Sequence, residues 1–372
     1  MVDGRRYIYF GGTGYLGLAS HPKVVEAACA AVRRYGVHAA TSRHGFGHTP
    51  AILDAERAVA EFFETEDAFY YASGYLGNHI MLQALASRVD SVFVDRHSHY
   101  CVWEAARLSG KKVTAFAHRD PNDLQSQLAA HLQRGQRPLV MTDGVFPITG
   151  ALAPLPDYLD VLSAYPGAVL HVDDAHGFGV LGGRGRGTLE HFGLWGDQAT
   201  WREPSTGPFL TVCGTLSKAL GGYGGVIPGS GDFIRHVRSS SHYYDGASAP
   251  SSADAGASAA ALRIAREEPS LRDCLRRNSS LLRSGLRDLG LSVEDGPSAH
   301  FSLSVGTAGD MGRLHQELRN SGYLVPYATV YPGLGPEGAL RFAVCALHTP
   351  EMIQGLLARL KELLGSHPAA YR

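Results

Sequence analysis

No run of this 372-residue chain reaches the roughly 18 apolar residues that a membrane span requires. The first residues, Met1-Val-Asp-Gly-Arg-Arg6, are polar and carry no apolar signal region. Cysteine is scarce and scattered. Cys29, Cys101, Cys213, Cys274 and Cys345 form no Cys-x-x-Cys pair, and their odd number argues against a disulfide framework or a structural zinc site. A reducing, cytoplasmic setting is expected. Charge of either sign is thin: charged residues make up 19 %, and the net charge is −1. A chain so balanced has no electrostatic footprint for nucleic acid or an acidic membrane surface. Internal repeats and low-complexity linkers are also missing.

What is abundant is glycine, at 45 residues, and apolar side chains, at 44 %, enough to bury a large core. Short apolar runs alternate with helical periodicities. Strands are expected at Tyr7–Phe10, Phe69–Tyr71, Ser91–Val94, Lys112–Ala117, Leu139–Met141, Ala168–Val172 and Phe209–Cys213. Helices are expected over His21–Tyr35 and Ala51–Phe63. This alternation predicts an α/β fold with a mostly parallel, doubly wound sheet. After about residue 250 the texture changes. Helices over Ala253–Arg266, Ser270–Leu289 and Met311–Ser321, strands over Phe301–Val305 and Leu340–Leu347, and a last helix opened by Thr349-Pro350-Glu351 predict a smaller C-terminal α/β domain. The expected division is an N-terminal segment 1–20 packing with the small domain, a large domain 21–255 and a small domain 256–372. Gly183-Arg-Gly-Arg-Gly187 reads as a flexible surface loop.

Three clusters carry chemistry. In Gly214-Thr-Leu-Ser-Lys218-Ala-Leu-Gly-Gly-Tyr-Gly-Gly225 a lysine follows a buried-looking strand among small and hydroxyl residues. Partial burial lowers the pKa of such an amine and suits it to Schiff-base chemistry; the alternative is a lysine snorkelling from a strand end. Thr215 and Ser217 are candidate phosphate ligands. In Val172-Asp173-Asp174-Ala-His176-Gly177 a carboxylate ends a parallel strand, where it points into the ligand crevice. Pyridoxal phosphate (PLP) needs an acid against its pyridine nitrogen, and His176 is placed to bond the ring hydroxyl. A structural turn or a metal site are the other readings, though no further ligands lie nearby in sequence. In Tyr71-Ala-Ser-Gly74-Tyr75-Leu-Gly-Asn78 a strand enters a helix through Ser-Gly, a joint that can bind phosphate on backbone N–H groups.

Two Gly-x-Gly-x-x-Gly strings, Gly12–Gly17 and Gly177–Gly182, are rejected as dinucleotide fingerprints. Neither opens a helix inside the motif, and no acid ends the strand that follows the first. His44 and His48, in a Gly-rich stretch, read as loop or active-site rim rather than a helical metal pair.

Taken in order, these segments resemble the α-oxoamine synthases, fold-type-I PLP enzymes that include 8-amino-7-oxononanoate synthase, glycine C-acetyltransferase, 5-aminolevulinate synthase and serine palmitoyltransferase. The resemblance spans nearly the whole chain. It is carried by Val2–Phe10, Tyr15-Leu-Gly-Leu18, His21-Pro22, Asp95-Arg-His-Ser-His99, Thr142-Asp-Gly-Val-Phe146, Ala153-Pro-Leu155, Asp173-Asp-Ala-His176, Thr215-Leu-Ser-Lys218, and Leu340-Arg341 with Ala346-Leu-His-Thr349.

The resemblance implies that Lys218 holds PLP as a Schiff base and later carries a proton, that Asp173 pairs the pyridine nitrogen, and that His176 bonds the ring hydroxyl. It implies that His99 stacks on the ring, that Gly74, Tyr75 and Thr215 hold the phosphate, and that Arg341 binds the substrate carboxylate. It also implies a homodimer with shared active sites, in which Gly246-Ala-Ser248-Ala-Pro250 reaches the neighbour's phosphate. The implied reaction is decarboxylative condensation of an amino acid with an acyl thioester, on CoA or a carrier protein, to an amino ketone. An aminotransferase using the same residues, and a non-catalytic PLP-fold binding protein, are the alternatives.

The chain departs from the family pattern at several points. Thr13-Gly14 replace Asn-Asp, Pro147 stands where a Ser is usual, Ala247 replaces a Thr, and a His is lost near Ile52. The chain also starts almost at the first strand, without the longer N-terminal arm. Altered acyl-donor contacts are therefore expected, with Thr13, Gly14 and Pro147 as the positions to watch.

Overall fold

A computed structural model describes residues 2–196 and 207–366. The last six residues of the expected small domain, residue 1 and residues 197–206 lie outside the described part. Strands run in chain order as β1 Ile8–Tyr9, β2 Asp67–Tyr71, β3 Ser91–Asp95, β4 Lys112–Phe116, β5 Pro138–Asp143, β6 Val169–Asp173, β7 Phe209–Thr215, β8 Gly225–Gly229, β9 His300–Leu303, β10 Tyr323–Leu324, β11 Tyr327–Ala328 and β12 Ala339–Ala343.

Among the described residues, seven strands form one sheet in the order β2-β8-β7-β6-β5-β3-β4. Strands β4, β3, β5, β6 and β7 pair parallel, and β8 runs antiparallel to both β2 and β7. The fold is therefore α/β with a mostly parallel sheet. Strands β3, β5, β6 and β7 are buried at every position, which is why they read as near-continuous apolar runs rather than alternating ones.

Strand β8 was not legible in the sequence. Gly225-Val-Ile-Pro-Gly229 has the composition of a loop, because glycine and proline weaken a strand interior. Its pairing with β7 is confined to Gly225 and Val226, so the missing N–H of Pro228 falls beyond that ladder.

A three-stranded sheet, β11-β12-β9, lies in the C-terminal part, and β1 pairs parallel with β10. β12 ends at Ala343, four residues short of the expected Leu347. There the chain leaves the sheet so that Ala346 N–H can bond the Tyr15 carbonyl (2.7 Å).

Helix boundaries follow their caps. Pro22–Tyr35 and Pro50–Phe63 each open on proline, capped by the side chains of His21 and Thr49. The helix Ala308–Asn320 opens on a capping box between Thr307 and Asp310. No helix among the described residues is long and apolar enough to cross a membrane.

The loop Gly183–Gly187 is not wholly a surface loop. Gly185, Arg186 and Gly187 are buried, with the Arg186 guanidinium held by Glu64 and the Phe62 carbonyl. A charged side chain turns inward here because it is paired.

Candidate active site

The carboxyl ends of β3, β5, β6 and β7 converge, as expected for a ligand crevice in a parallel sheet. They deliver Asp95, Asp143, Asp173 and Thr215, and the loops beyond them enclose a cavity of about 300 Å3. Its walls include Gly74, Tyr75, His99, Asp173, His176, Thr215 and Lys218, so seven of the nine expected site residues meet in one space. Ser248 and Arg341 are not among them. Ser248 is exposed, bridged to Ser42. Arg341 sits behind the lining and is buried.

Lys218 follows β7 in a tight loop closed by Gly221 N–H to the Lys218 carbonyl and Gly222 N–H to the Leu216 carbonyl. Gly221 has φ +64°, and a Cβ there would lie 2.4 Å from Leu18 Cβ, so glycine is required. The Lys218 amine lies 2.8 Å from His176 Nε2. Burial pulls its pKa down to about 8, against the opposing pull of Asp173 and Asp143.

Asp173 is held from two sides. Asn78 Nδ2 donates to its Oδ2 at 2.7 Å, and Ala175 N–H donates to its Oδ1 at 3.1 Å. Its neighbour Asp174 faces the other way, accepting from Thr188 N–H, and burial raises its pKa to about 7. The strand's alternation assigns Asp173 to the cavity and Asp174 to the core.

His99 caps the helix Tyr100–Leu108 through its own ring, Nδ1 accepting from Cys101 N–H. The His99 backbone N–H donates to Asp143 Oδ2 at 2.7 Å. Burial holds the His99 imidazole neutral, with Lys218 adding to the effect against Asp173. Burial, then the nearby Asp173, pushes the Asp143 carboxyl well above its usual range.

Ser73 precedes the short helical turn Gly74–Leu76 without a side-chain cap, and the helix Gly77–Leu85 follows directly. A Cβ on Gly74 would lie 2.6 Å from Thr215 Cβ, so only glycine leaves this corner open. Thr215 lines it, but its hydroxyl donates to the Gly224 carbonyl at 2.8 Å and accepts from Ser217 N–H at 3.1 Å. In this arrangement Thr215 offers a lone pair, not a proton, to the cavity.

Several residues without an assigned role in the sequence belong to the site. Tyr15 OH contacts His176 Nδ1 (2.8 Å), His300 Nδ1 (3.1 Å) and Arg341 Nη2 (3.1 Å). Arg341 also donates to the carbonyls of Pro147 (2.6 Å) and Gly12 (3.0 Å). Asn78 stands one helical turn past Gly74, and that spacing is a signal that could have found it. His300 gave none, being a single histidine in an apolar strand. Thr13 and Pro147, two of the divergent positions, line the cavity. The Tyr331 hydroxyl is buried and has no partner among the described residues, and its ring lies 5.3 Å from that of Tyr100 and 6.4 Å from that of His99.

Comparison with known proteins agrees with this geometry. The family model for class I and II aminotransferases matches residues 6–360. The 8-amino-7-oxononanoate synthase of Nitrosococcus oceani is 38 % identical over 365 residues, covering 98 % of this chain and 93 % of that protein. Sphingomonas wittichii serine palmitoyltransferase superposes with a TM-score of 0.89 at 28 % identity, over 100 % of this chain and 90 % of its own. A serine palmitoyltransferase variant from S. paucimobilis, solved with a bound PLP–myriocin aldimine, also gives a TM-score of 0.89, at 26 % identity over 98 % of this chain and 89 % of its own.

Proposed function

This chain belongs to the class I and II aminotransferase family, within its α-oxoamine synthase branch, and from that premise we propose that it is a PLP-dependent acyltransferase. The substrates of the reaction are an amino acid and an acyl thioester. The new carbon–carbon bond joins the amino acid's α-carbon to the acyl carbon; carbon dioxide and the thiol leave, and an amino ketone remains. The observation that carries the reading is the meeting of Lys218, His176 and Asp173 in one cavity of about 300 Å3.

The residues present fit PLP. Lys218 offers a buried amine with a depressed pKa. Asp173, held by Asn78, offers a carboxylate for the pyridine nitrogen. The corner at Gly74, which any Cβ would fill, leaves room for a phosphate beside Ser73 and Tyr75. His176 is the partner for the ring hydroxyl and His99 for the ring face. Bound there, PLP supplies an electron sink for charge developing at the amino acid's α-carbon.

The chain's own residues do the rest. Lys218 moves a proton at Nζ, with His176 Nε2 as its neighbour. The buried part of the wall, Asp143, Asp173, His176 and Thr215, keeps water from that side of the cavity and strengthens the polar contacts there. Arg341, through its contacts with Tyr15, Pro147 and Gly12, positions the substrate carboxylate. Thr13 and Pro147 shape the acyl-donor side.

The same reading divides the chain into a segment 1–20, a large domain 21–255 and a small domain 256–372; the β1–β10 pairing and the separate three-stranded sheet support it. It also takes the protein as a cytoplasmic homodimer. Phe46 is 95 % exposed, and Ser248 lies on the surface away from its own cavity, which supports a neighbouring subunit covering both.

The test is to load the protein with PLP, add a carboxyl-labelled amino acid, and follow label release as carbon dioxide. Release that needs an acyl thioester, with a visible Schiff-base band absent in Lys218→Ala, is expected. Conversion of the cofactor to its pyridoxamine form by the amino acid alone would replace this reading with an aminotransferase.

A further inference from the structure

We propose that His300, a residue outside the cavity wall, fixes the proton arrangement of His176 through the Tyr15 hydroxyl, so that His176 turns a bare Nε2 lone pair toward Lys218. His300 is thereby a positioning residue for the reaction. Its significance for catalysis rests on the PLP reading, whereas the proton arrangement does not.

Fixed donors and acceptors at the two ends set the direction of every proton between them. His300 Nε2 lies 3.0 Å from the Phe146 carbonyl, which can only accept. Nε2 therefore carries the proton, and in a neutral ring Nδ1 is then a bare acceptor. That Nδ1 faces Tyr15 OH at 3.1 Å, so the single phenol proton is directed to His300. The same oxygen also receives Arg341 Nη2, which can only donate. With its proton committed, Tyr15 can only accept from the third neighbour, so His176 Nδ1, 2.8 Å away, must be N–H. A neutral His176 then has a bare Nε2, and Lys218 Nζ donates to it at 2.8 Å. Protons point one way along the chain, from Lys218 to His176 to Tyr15 to His300 to the Phe146 carbonyl.

The reverse orientation needs His300 doubly protonated. Its surroundings oppose that. The ring is wholly buried, and its charged form is opposed further by Arg341, Lys218 and Arg283, with only the Phe146 carbonyl favouring it. His176 is likewise kept neutral by burial and by Lys218, His300, Arg341 and His99. The Tyr15 phenol keeps its proton because burial outweighs the pull of Arg341. The Tyr15 and His300 rings are nearly parallel, 6° apart, so the contact is held by packing as well as by the hydrogen bond.

The orientation has a consequence for Lys218. A bare Nε2 stabilises the ammonium form of the lysine and can take its proton. An Nε2–H would instead oppose the ammonium. His300 thus sets whether His176 acts toward Lys218 as acceptor or donor, from three hydrogen bonds away.

The test uses full-length protein labelled with 15N-histidine, with and without PLP. Two-bond correlations of the imidazole ring distinguish Nδ1–H from Nε2–H, and the His176 signals are assigned by a His176→Asn variant. The wild type is expected to show His176 as Nδ1–H. His300→Gln keeps an acceptor for Tyr15 and a donor for Phe146, and should retain that signature. His300→Leu removes the acceptor, freeing the Tyr15 proton for His176 Nδ1, and should convert His176 to Nε2–H. In the cofactor-free protein the Lys218 amine pKa, read from the pH dependence of its reductive alkylation, should fall by about one unit in His300→Leu and hold in His300→Gln, one unit being the scale of a single charge-assisted hydrogen bond. Nε2–H in the wild type, or Nδ1–H unchanged in His300→Leu, would overturn the proposal. Should His300→Leu fail to fold, Tyr15→Phe carries the test, since it removes the acceptor of the His176 proton and should abolish the Nδ1–H preference; retention of that preference overturns the proposal. If no variant, wild type included, binds PLP while the tautomers behave as expected, the function reading fails and the relay stands.

Discussion

Asn78 Nδ2 lies 2.7 Å from Oδ2 of Asp173, the shortest contact made to that carboxylate. The two residues are 95 positions apart in sequence, and the packing of the helix Gly77–Leu85 near β7 brings them together. An amide donor fixes the carboxylate's orientation without adding charge, leaving the negative charge available to a protonated ring nitrogen.

Asn78→Leu should therefore weaken PLP binding without removing the Schiff-base lysine. A buried carboxylate oxygen that loses its donor costs about 1–3 kcal/mol, which corresponds to roughly 10- to 100-fold in affinity. Equilibrium dialysis of PLP against wild type and variant reads this directly. Equal affinities would mean that Asp173 is held adequately by Ala175 N–H and the Cys101 thiol, which donates to the same Oδ2 at 3.5 Å.

Lys218 gives a pH prediction. Its pKa in the fold is about 8, against 10.5 in an unfolded chain. Between those values the unfolded chain binds the extra proton, so cofactor-free protein gains stability as pH rises from 8 toward 10.5. Below pH 8 the full cost of a buried ammonium applies. Lys218→Met should raise the stability of cofactor-free protein near pH 7 by about 3 kcal/mol, with the gain vanishing by about pH 10.5. Urea denaturation at a series of pH values checks it; a gain independent of pH would point to packing instead.

The buried ion pair of Arg43 and Glu56 gives a stability prediction away from the site. Arg43 is 2 % exposed and Glu56 5 % exposed, and the pair is joined by two hydrogen bonds of 3.0 and 2.9 Å. Glu56 also receives Tyr70 N–H at 3.0 Å and Arg238 at 3.3 Å. Arg43→Met leaves a buried carboxylate with Arg238 as its remaining cation, and should lower stability by about 3 kcal/mol. Arg43→Met with Glu56→Gln should recover part of that loss. A single variant as stable as wild type would show that Arg238 compensates in full.

Much of this was legible in the sequence because it is local. Strands buried on both faces wrote themselves as apolar runs, and the acid at the end of β6 and the lysine past β7 stood beside them. What escaped is what only three dimensions create. His300 and Tyr15 are 285 positions apart, and no spacing links them. β8 hid behind Pro228 and its glycines, because strand composition argues against a strand whose ladder is short on one side. Arg341 was singled out by its resemblance to a family motif, but its place behind Pro147 and Gly12 was not legible, since those carbonyls come from loops far away in sequence.

That placement fixes what Arg341 has left to offer a substrate. Three of the five N–H groups of Arg341 are spent on the Pro147 and Gly12 carbonyls and on Tyr15, which leaves two for a substrate. Two free donors on one planar guanidinium match the two oxygens of a carboxylate, and an ammonium in the same position cannot serve three fixed acceptors and a fourth partner together. Arg341→Lys should therefore raise KM for the amino acid by roughly 10- to 100-fold, the scale of one or two charge-assisted hydrogen bonds, and change kcat less. The visible band of the PLP-loaded variant should persist, since neither Lys218 nor Asp173 bonds Arg341 directly. Steady-state kinetics with the amino acid varied at saturating thioester separates the two quantities. A KM unchanged beside a lowered melting temperature would assign Arg341 to holding Pro147 and Gly12 in place from behind the lining, and the substrate carboxylate would then have to be met by groups of the cavity wall itself.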